Sequence, residues 1–144
     1  MDSLANRYSS ALLSIAVEEN KLIEYQNAGK VLHKGIKENP DYIKVLSSRF
    51  MDKKEKYKLV DELTSPFELV NLSNFLKVII DNQREHEILV ILKDFNSLCN
   101  EEQGIDEGII YSTIKLSDEE IDQIENGISK KLGKKVELTN IIDY

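Results

Sequence analysis

Side chains that could do chemistry are few in this sequence, and their spacing is unfavourable for catalysis. A nucleophilic cysteine needs a nearby base, and the sequence has one cysteine, Cys99, and two histidines, His33 and His86. Cys99 falls on the apolar face of a predicted helix, which favours a small core residue, and both histidines fall at polar positions. His86 lies between glutamates in "REHE", but neighbouring positions on a helix point apart. We therefore expect neither nucleophilic catalysis nor a metal site.

The carboxylate clusters also have simpler explanations than acid–base catalysis. They fall at predicted helix ends or on polar faces, where solvation or capping accounts for them: Glu18/Glu19, Glu101/Glu102 and Asp118/Glu119/Glu120. The basic run "KKEKYK" at 53–58 is short and lacks the breadth and aromatic stacking that nucleic-acid binding requires. No glycine-rich loop precedes a helix, so the sequence predicts no nucleotide cradle and no cofactor.

Composition indicates a globular chain whose partners are proteins. The 144 residues are 41% hydrophobic and 31% charged, with a formal net charge of −7. This charge disfavours nucleic acid and anionic lipid as main partners, because both need clustered lysine and arginine. No apolar run approaches the ~20 residues that span a bilayer, so we expect membrane association only through a partner. The N-terminus does not resemble a secretory signal, and a single cysteine fits a reducing compartment.

Hydrophobic periodicity and the few breaks predict six helices before Gly104. Asn20 and Lys21 form the first corner, and Asn39-Pro40 and Ser65-Pro66 form later breaks. The predicted helices are Leu4–Glu19, Leu22–Asn39, a short one with Pro40 in its first turn that runs through Leu46, one capped by Asp52 that runs to Leu63, Phe67–Asn82 and Arg84–Gln103.

The pattern changes after Gly104, which stops the sixth helix at a position suited to glycine. "IDEGIIYSTIKL" alternates like a strand, "SDEE" at 117–120 is a capping box for a helix that ends at Gly133, and "KKVELTNIID" is a second strand. The predicted fold is therefore mainly α, with a six-helix bundle over residues 1–104 and a small, apparently incomplete α/β (β-α-β) domain over 105–144. A two-stranded sheet with one helix is marginal alone.

The first and fifth helices carry more apolar surface than one core contact needs. In the first helix the apolar positions are Tyr8, Ala11, Leu12, Leu13, Ile15, Ala16 and Val17. In the fifth helix they are Leu69, Leu72, Leu76 and Ile80 on one side and Phe75, Val78 and Ile79 on the next. On each helix these positions cover more of the circumference than the ~100° apolar stripe of an ordinary surface helix. The fifth helix could be buried on several sides, but together the two could form a groove for an amphipathic helix of a partner.

The chain resembles the delta subunit of bacterial F-type ATP synthases, the counterpart of the mitochondrial oligomycin-sensitivity-conferring protein. Four stretches carry the resemblance in the family's order: "ANRYSSALLSIAVEEN" at 5–20, "ENPDYIKVLSSRFMDKKEKYKLVDEL" at 38–63, "NFLKVIIDNQREHEILVILKDF" at 74–95 and "LSDEEIDQIENGISKKLGKKVEL" at 116–138. The first fits the family pattern A-x-x-Y-x-x-A-L-x-x-(I/L)-A-x-E. Each motif alone has low specificity for the family, but the order and spacing of the four motifs together are specific.

The resemblance implies a non-catalytic stator subunit that links the catalytic head to the peripheral stalk, so that rotation is coupled to ATP synthesis and ion transport. It implies that N-terminal helices of the alpha subunits enter the groove between the first and fifth helices. It also implies that the C-terminal domain meets the b subunit, and that the complex holds the chain at the cytoplasmic face of the bacterial plasma membrane. Tyr8, Ala11 and Val78 match the family's groove positions. Helical spacing alone adds Leu4, Ile15, Phe75 and Ile79.

Two departures from the family pattern stand out. The turn that usually reads N-G-(R/K) is Asn82-Gln83-Arg84 here, and we expect Asn82 to tolerate a left-handed backbone. Family members also continue past "IIDY" with a Gly-Gly stretch and further strands, so the expected b-subunit contact is the less supported one. The alternative function is a free-standing helical adaptor that binds an amphipathic helix of another partner. An enzyme ranks third.

Overall fold

The computed structural model describes residues 3–143 and confirms a mainly helical fold with a small β-α-β part. The helices before Gly104 are α1 Leu4–Glu18, α2 Leu22–Glu38, α3 Asp41–Leu46, α4 Lys53–Thr64, α5 Val70–Asp81 and α6 Ile88–Gln103. The later elements are β1 Asp106–Ser112, α7 Asp118–Leu132 and β2 Val136–Ile142. Residues 1, 2 and 144 of the predicted domains lie outside the described residues.

Local residue chemistry accounts for several helix boundaries. The Asp52 carboxylate accepts a hydrogen bond from the Glu55 backbone N–H at 3.0 Å, as the sequence predicts for an N-cap. Asn20 adopts a left-handed backbone with φ 56°, which turns the chain between α1 and α2. Gly104 has φ 70°, and the Ile105 N–H donates to the Asn100 carbonyl at 2.8 Å, which closes the end of α6. Pro40 takes the N-cap position of α3 rather than its first turn.

Two predicted helix starts are wrong by three or four residues. Ser65–Phe67 forms a 3₁₀ turn and Glu68 is left-handed with φ 54°, so α5 begins at Val70 and not at Phe67. Glu85–Glu87 forms another 3₁₀ turn, so α6 begins at Ile88 and not at Arg84. Helix termini are often 3₁₀, because the tighter turn satisfies orphan backbone groups.

The turn before α6 also differs from the expectation. Gln83, not Asn82, takes the left-handed conformation, with φ 57°. The Asn82 backbone has φ −89° and ψ 4°, and Gln83 stands where the family pattern has glycine. A left-handed backbone disfavours side chains with a Cβ, so Gln83 pays a local strain that glycine would avoid.

The chain divides into two compact units, one ending at Leu98 and the other beginning at Cys99. The division falls inside α6, and the predicted domain boundary at residues 104 and 105 stays a prediction. In the first unit, α2, α5 and α6 supply most of the fully buried core: Tyr25, Ala28, Leu32, Leu72, Leu76, Ile79, Ile80, Ile88, Ile91, Leu92 and Phe95. Gly29 of α2 lies against Phe95 of α6, where a Cβ would come within 3.4 Å of Phe95 Cδ2.

The second unit is a parallel two-stranded sheet joined by α7. Its register pairs Asp106 with Val136 and runs to Ser112 with Ile142. Ser117 and Glu120 form the predicted capping box. The Asn140 side chain holds the unit together: its amide donates to the Ile110 carbonyl at 3.1 Å, and its oxygen accepts from the Leu116 N–H at 2.8 Å.

Between residues 3 and 143, no helix combines the length and the apolar character needed to cross a membrane.

Candidate partner-binding groove

Helix α1 presents two different apolar faces, displaced from each other by one residue. The core face comprises Ala5, Ser9, Leu12 and Ala16, all buried. The adjacent face comprises Leu4, Tyr8, Ala11 and Ile15, which are half-buried or exposed. Both sets follow the three-and-four-residue spacing of a helix, and one residue corresponds to about 100° of rotation. One face therefore packs the bundle while the next remains accessible.

Helix α5 has the same division. Leu72, Leu76, Ile79 and Ile80 are buried in the bundle. Val78 is 48% exposed, and Phe75 is 6% exposed, so Phe75 shows only part of its ring at the surface. Asn71 and Asn74 lie on the same accessible side and are exposed.

The accessible faces of α1 and α5 enclose an open cavity of about 450 Å³, named here the α1–α5 groove. Its lining is Leu4, Arg7, Tyr8, Ala11, Ile15, Asn71, Asn74, Phe75 and Val78. Apolar side chains and the small Ala11 form its floor and walls, so the groove can accept an apolar helix face but offers no converging nucleophile and base.

Side-chain hydrogen bonds connect the two helices at both ends of the groove. The Asn82 amide donates to the Tyr8 hydroxyl at 2.7 Å, and the Asn71 amide donates to Glu19 Oε2 at 3.0 Å. The start of α1 therefore lies beside the end of α5, and the end of α1 beside the start of α5, so the helices are antiparallel. Between these bonds Tyr8 packs edge-to-face on Phe75, with ring centroids 6.3 Å apart.

Polar contacts hold both groove helices from behind. The hydroxyl of the fully buried Ser9 donates to Asp94 Oδ2 at 2.5 Å, which fixes α1 against α6. On α5, Ser73 and Lys77 bind Asp61 of α4 at 2.6 and 2.8 Å. The Lys77 and Ser73 hydrogen bonds hold the pKa of Asp61 below its usual value, so this brace is charged near neutral pH.

Glu19 connects three helices at the far end of the groove. Besides Asn71, its carboxylate accepts a hydrogen bond from the Tyr25 hydroxyl of α2 at 2.7 Å. The bonds from Asn71 and Tyr25 lower the pKa of Glu19. Burial, followed by the Glu19 contact, raises the pKa of Tyr25 above its usual range. Glu19 is therefore an anion at neutral pH, fixed beside the groove.

The structure brings together six of the seven residues that the sequence proposes for the groove: Leu4, Tyr8, Ala11, Ile15, Phe75 and Val78. Ile79 is not among the lining residues, because its side chain is 0% exposed in the bundle interior. Whether these residues bind a partner stays a prediction. The apolar pattern does not predict Arg7, Asn71 and Asn74, because these lining residues are polar. A spacing of four residues places Arg7 with Ala11, Asn71 with Phe75 and Asn74 with Val78 on the same helix faces.

The residues considered for catalysis are not gathered into a site. Cys99 is fully buried, and His86 is exposed in the 3₁₀ turn before α6. Burial, and then the charges of Lys37 and Lys93, lower the pKa of His33. Within the described part of the chain no three histidine, cysteine or acidic side chains are close enough to hold a metal ion.

Comparison with known proteins identifies one family that matches almost the whole chain. The family model for the ATP synthase delta (OSCP) subunit matches residues 4–144. The ATP synthase subunit delta of Mycoplasma mobile is 40% identical over 136 residues, which cover 94% of this chain and 76% of the relative. The subunit delta of Clostridioides difficile is 33% identical over 141 residues, covering 97% and 78%.

Solved structures show the same fold. A chain of the Toxoplasma gondii mitochondrial ATP synthase hexamer superposes with a TM-score of 0.74 at 17% identity, covering 99% of this chain and 79% of that one. Delta subunits are peripheral subunits of the membrane-associated ATP synthase and have a structural role, not a catalytic one. The chain therefore belongs to the ATP synthase delta (OSCP) subunit family, whose members are stator subunits that link the catalytic head to the peripheral stalk.

Proposed function

We propose that the α1–α5 groove is the joint to the catalytic head and receives an N-terminal helix of the alpha subunit. The observation that supports this most directly is the pair of accessible apolar faces on α1 and α5, which enclose an open groove and are not needed by the core. An amphipathic helix places apolar side chains on one face at the spacing that such a groove accepts.

The geometry suits a joint that must stay occupied under load. Burial of apolar surface contributes ~25 cal/mol per Å² before association costs are subtracted. The hydrogen bonds at both ends of the groove and the braces behind it hold the walls in place, which lowers the ordering cost of binding. Ala11, with its short side chain, allows the guest backbone to approach α1 closely.

The second unit is the proposed contact for the b subunit of the peripheral stalk. One face of its sheet carries exposed apolar side chains, with Ile109 53%, Tyr111 64% and Ile141 41% exposed, next to the polar Glu107, Glu137 and Thr139. Tyr111 and Ile141 are register partners and therefore share this face. Family membership supports this assignment. It also supports a peripheral position at the cytoplasmic face of the bacterial plasma membrane, where the complex would hold the chain.

A peptide titration tests the groove. A synthetic peptide with the sequence of the first ~20 residues of the alpha subunit is added to the ¹⁵N-labelled full chain, and backbone amide shifts are followed by NMR. We expect saturable shifts confined, within the bundle, to α1 and α5. Ala11→Asp and Val78→Asp should each weaken binding about tenfold or more, because the guest would desolvate an unpaired carboxylate.

Val31→Asp is the matched control, because Val31 is a 58% exposed valine on α2 that does not line the groove. Its peptide affinity should equal that of the unmodified chain, and circular dichroism should show that all three variants keep their helix content. Unchanged affinity for folded Ala11→Asp and Val78→Asp, or shifts centred away from α1 and α5, would show that the groove is not the joint.

A further inference from the structure

The two ends of the α1–α5 groove carry opposite charge. Arg7 lines one end, beside Leu4 and Tyr8, and its side chain is exposed. Within residues 3–143 its guanidinium has no ion-pair partner. Glu18 and Glu19 lie at the other end, where α1 finishes. Arg7 and Glu19 are twelve positions apart, which is about 18 Å along a helix.

Neighbouring charges do not cancel this difference. At the Arg7 end, Asp81 of α5 is engaged with α4, through Lys53 at 3.4 Å and through the Tyr57 hydroxyl. At the other end, the charge of Lys21 acts on Glu19, while the neighbouring Glu18 adds a second carboxylate at the end of α1. The separation of ~18 Å exceeds the ~8–10 Å Debye length at physiological salt, so a bound helix would experience each end separately.

A docked helix has complementary ends of its own. Its first-turn N–H groups carry a partial positive charge and lack intrahelical partners, and its last-turn carbonyls carry a partial negative charge. Carboxylates stabilise the first turn, and an arginine can donate to the last carbonyls. The α-amino group of an N-terminal segment adds further positive charge on the N-terminal side of such a helix.

We propose that the guest helix binds in one direction, with its N-terminus at Glu18 and Glu19 and its C-terminus at Arg7. It then runs antiparallel to α1 and parallel to α5. In this orientation the two carboxylates accept hydrogen bonds from the free first-turn N–H groups, and the Arg7 guanidinium donates to the free last-turn carbonyls. The inference rests on the proposed function, because it concerns the helix that the groove receives.

Paramagnetic broadening tests the direction of binding. The alpha-subunit peptide carries a nitroxide at its first residue in one sample and at its last residue in another, and each is added to the ¹⁵N-labelled full chain. We expect the first label to broaden the amides of Glu19 and Asn71, and the second to broaden those of Arg7 and Asn82. The reverse pattern, or equal broadening at both ends, would overturn the direction and leave the groove assignment intact. Absence of any shift in the groove would overturn both.

Charge reversal at Arg7 supplies an independent test. Arg7→Glu should weaken peptide binding about two- to fivefold, the size of effect expected for one charge at an exposed helix end. The matched control is Arg49→Glu, because Arg49 is exposed in the segment between α3 and α4 and does not line the groove. Both variants shift the net charge by the same amount. Equal affinities for the two variants would overturn the role of Arg7.

Discussion

The helical unit and the β-α-β unit are stabilised in different ways. Among residues 3–143, every buried hydrophobic side chain lies at or before Cys99. Helix α7 has no buried residue, and its apolar positions Ile121 and Ile128 are only half-buried. The second unit depends instead on polar contacts such as the Asn140 hydrogen bonds and the bond that the Leu138 N–H donates to Glu125 at 2.6 Å.

This difference separates two ways of presenting an apolar surface. In the first unit a complete core lies behind the groove, so the accessible faces of α1 and α5 are held by packing as well as by hydrogen bonds. In the second unit the accessible sheet face has only one helix behind it. We therefore expect the groove to be largely preformed and the second unit to open at lower free energy.

The largest expected effect is the loss of core packing in the first unit. Phe95→Ala should lower the free energy of unfolding by about 3–5 kcal/mol, because Phe95 is fully buried beside Gly29 and its removal leaves a cavity. Urea denaturation followed by circular dichroism measures the change. Phe50→Ala is the matched control, since Phe50 is completely exposed before α4, and it should change stability by less than about 0.5 kcal/mol. Similar losses for the two variants would contradict the packing described for α6.

An intermediate effect is expected when the N-cap residue of one helix in each unit is replaced. Ser117→Ala removes the cap of α7, and Asp52→Ala removes the cap of α4. Each should cost about 1 kcal/mol. Amide hydrogen exchange should show that the change at Ser117 deprotects most of α7, while the change at Asp52 affects mainly the first turn of α4, which the bundle core still holds. Equal spread of deprotection in both helices would show that the units are equally cooperative.

The smallest effect, at Gln83, comes from a comparison of two left-handed residues. Gln83→Gly should raise stability by about 0.5 kcal/mol, because glycine relieves the strain at φ 57° but loses more backbone entropy on folding. Gly133→Ala, at φ 67° after α7, should lower stability by about 1 kcal/mol. Thermal unfolding midpoints measure both changes. A loss of stability in Gln83→Gly would show that the side chain of Gln83 contributes more than its backbone strain costs.

Much of this structure could be predicted because its signals are local. Caps at Asp52 and Ser117, glycine stops at Gly104 and Gly133, and apolar spacing within helices all depend on residues a few positions apart. The starts of α5 and α6 could not be predicted in the same way. Glu68 and Gln83 adopt left-handed backbones that their residue types disfavour, so the surrounding packing determines both turns.

Groove membership was harder to predict than helix position. Apolar excess identified the correct two helices, but a hydrophobic pattern does not say which of two adjacent faces the core will cover. Ile79 and Val78 are neighbours with similar side chains, yet one is 0% and the other 48% exposed. The polar residues of the groove carried no hydrophobic signal, although the charge of Arg7 and the hydrogen bond of Asn71 distinguish its two ends.

The hydrogen bonds at the two ends of the groove have a mechanical consequence. Because Asn82–Tyr8 and Asn71–Glu19 join antiparallel helices at opposite ends, neither end is free to splay apart first. A force along a docked helix would therefore act as shear across all of its contacts together, rather than unzipping them one turn at a time. Contacts loaded together in shear rupture at higher force than contacts that unzip one at a time, so a helix docked in the groove would resist a load directed along its axis.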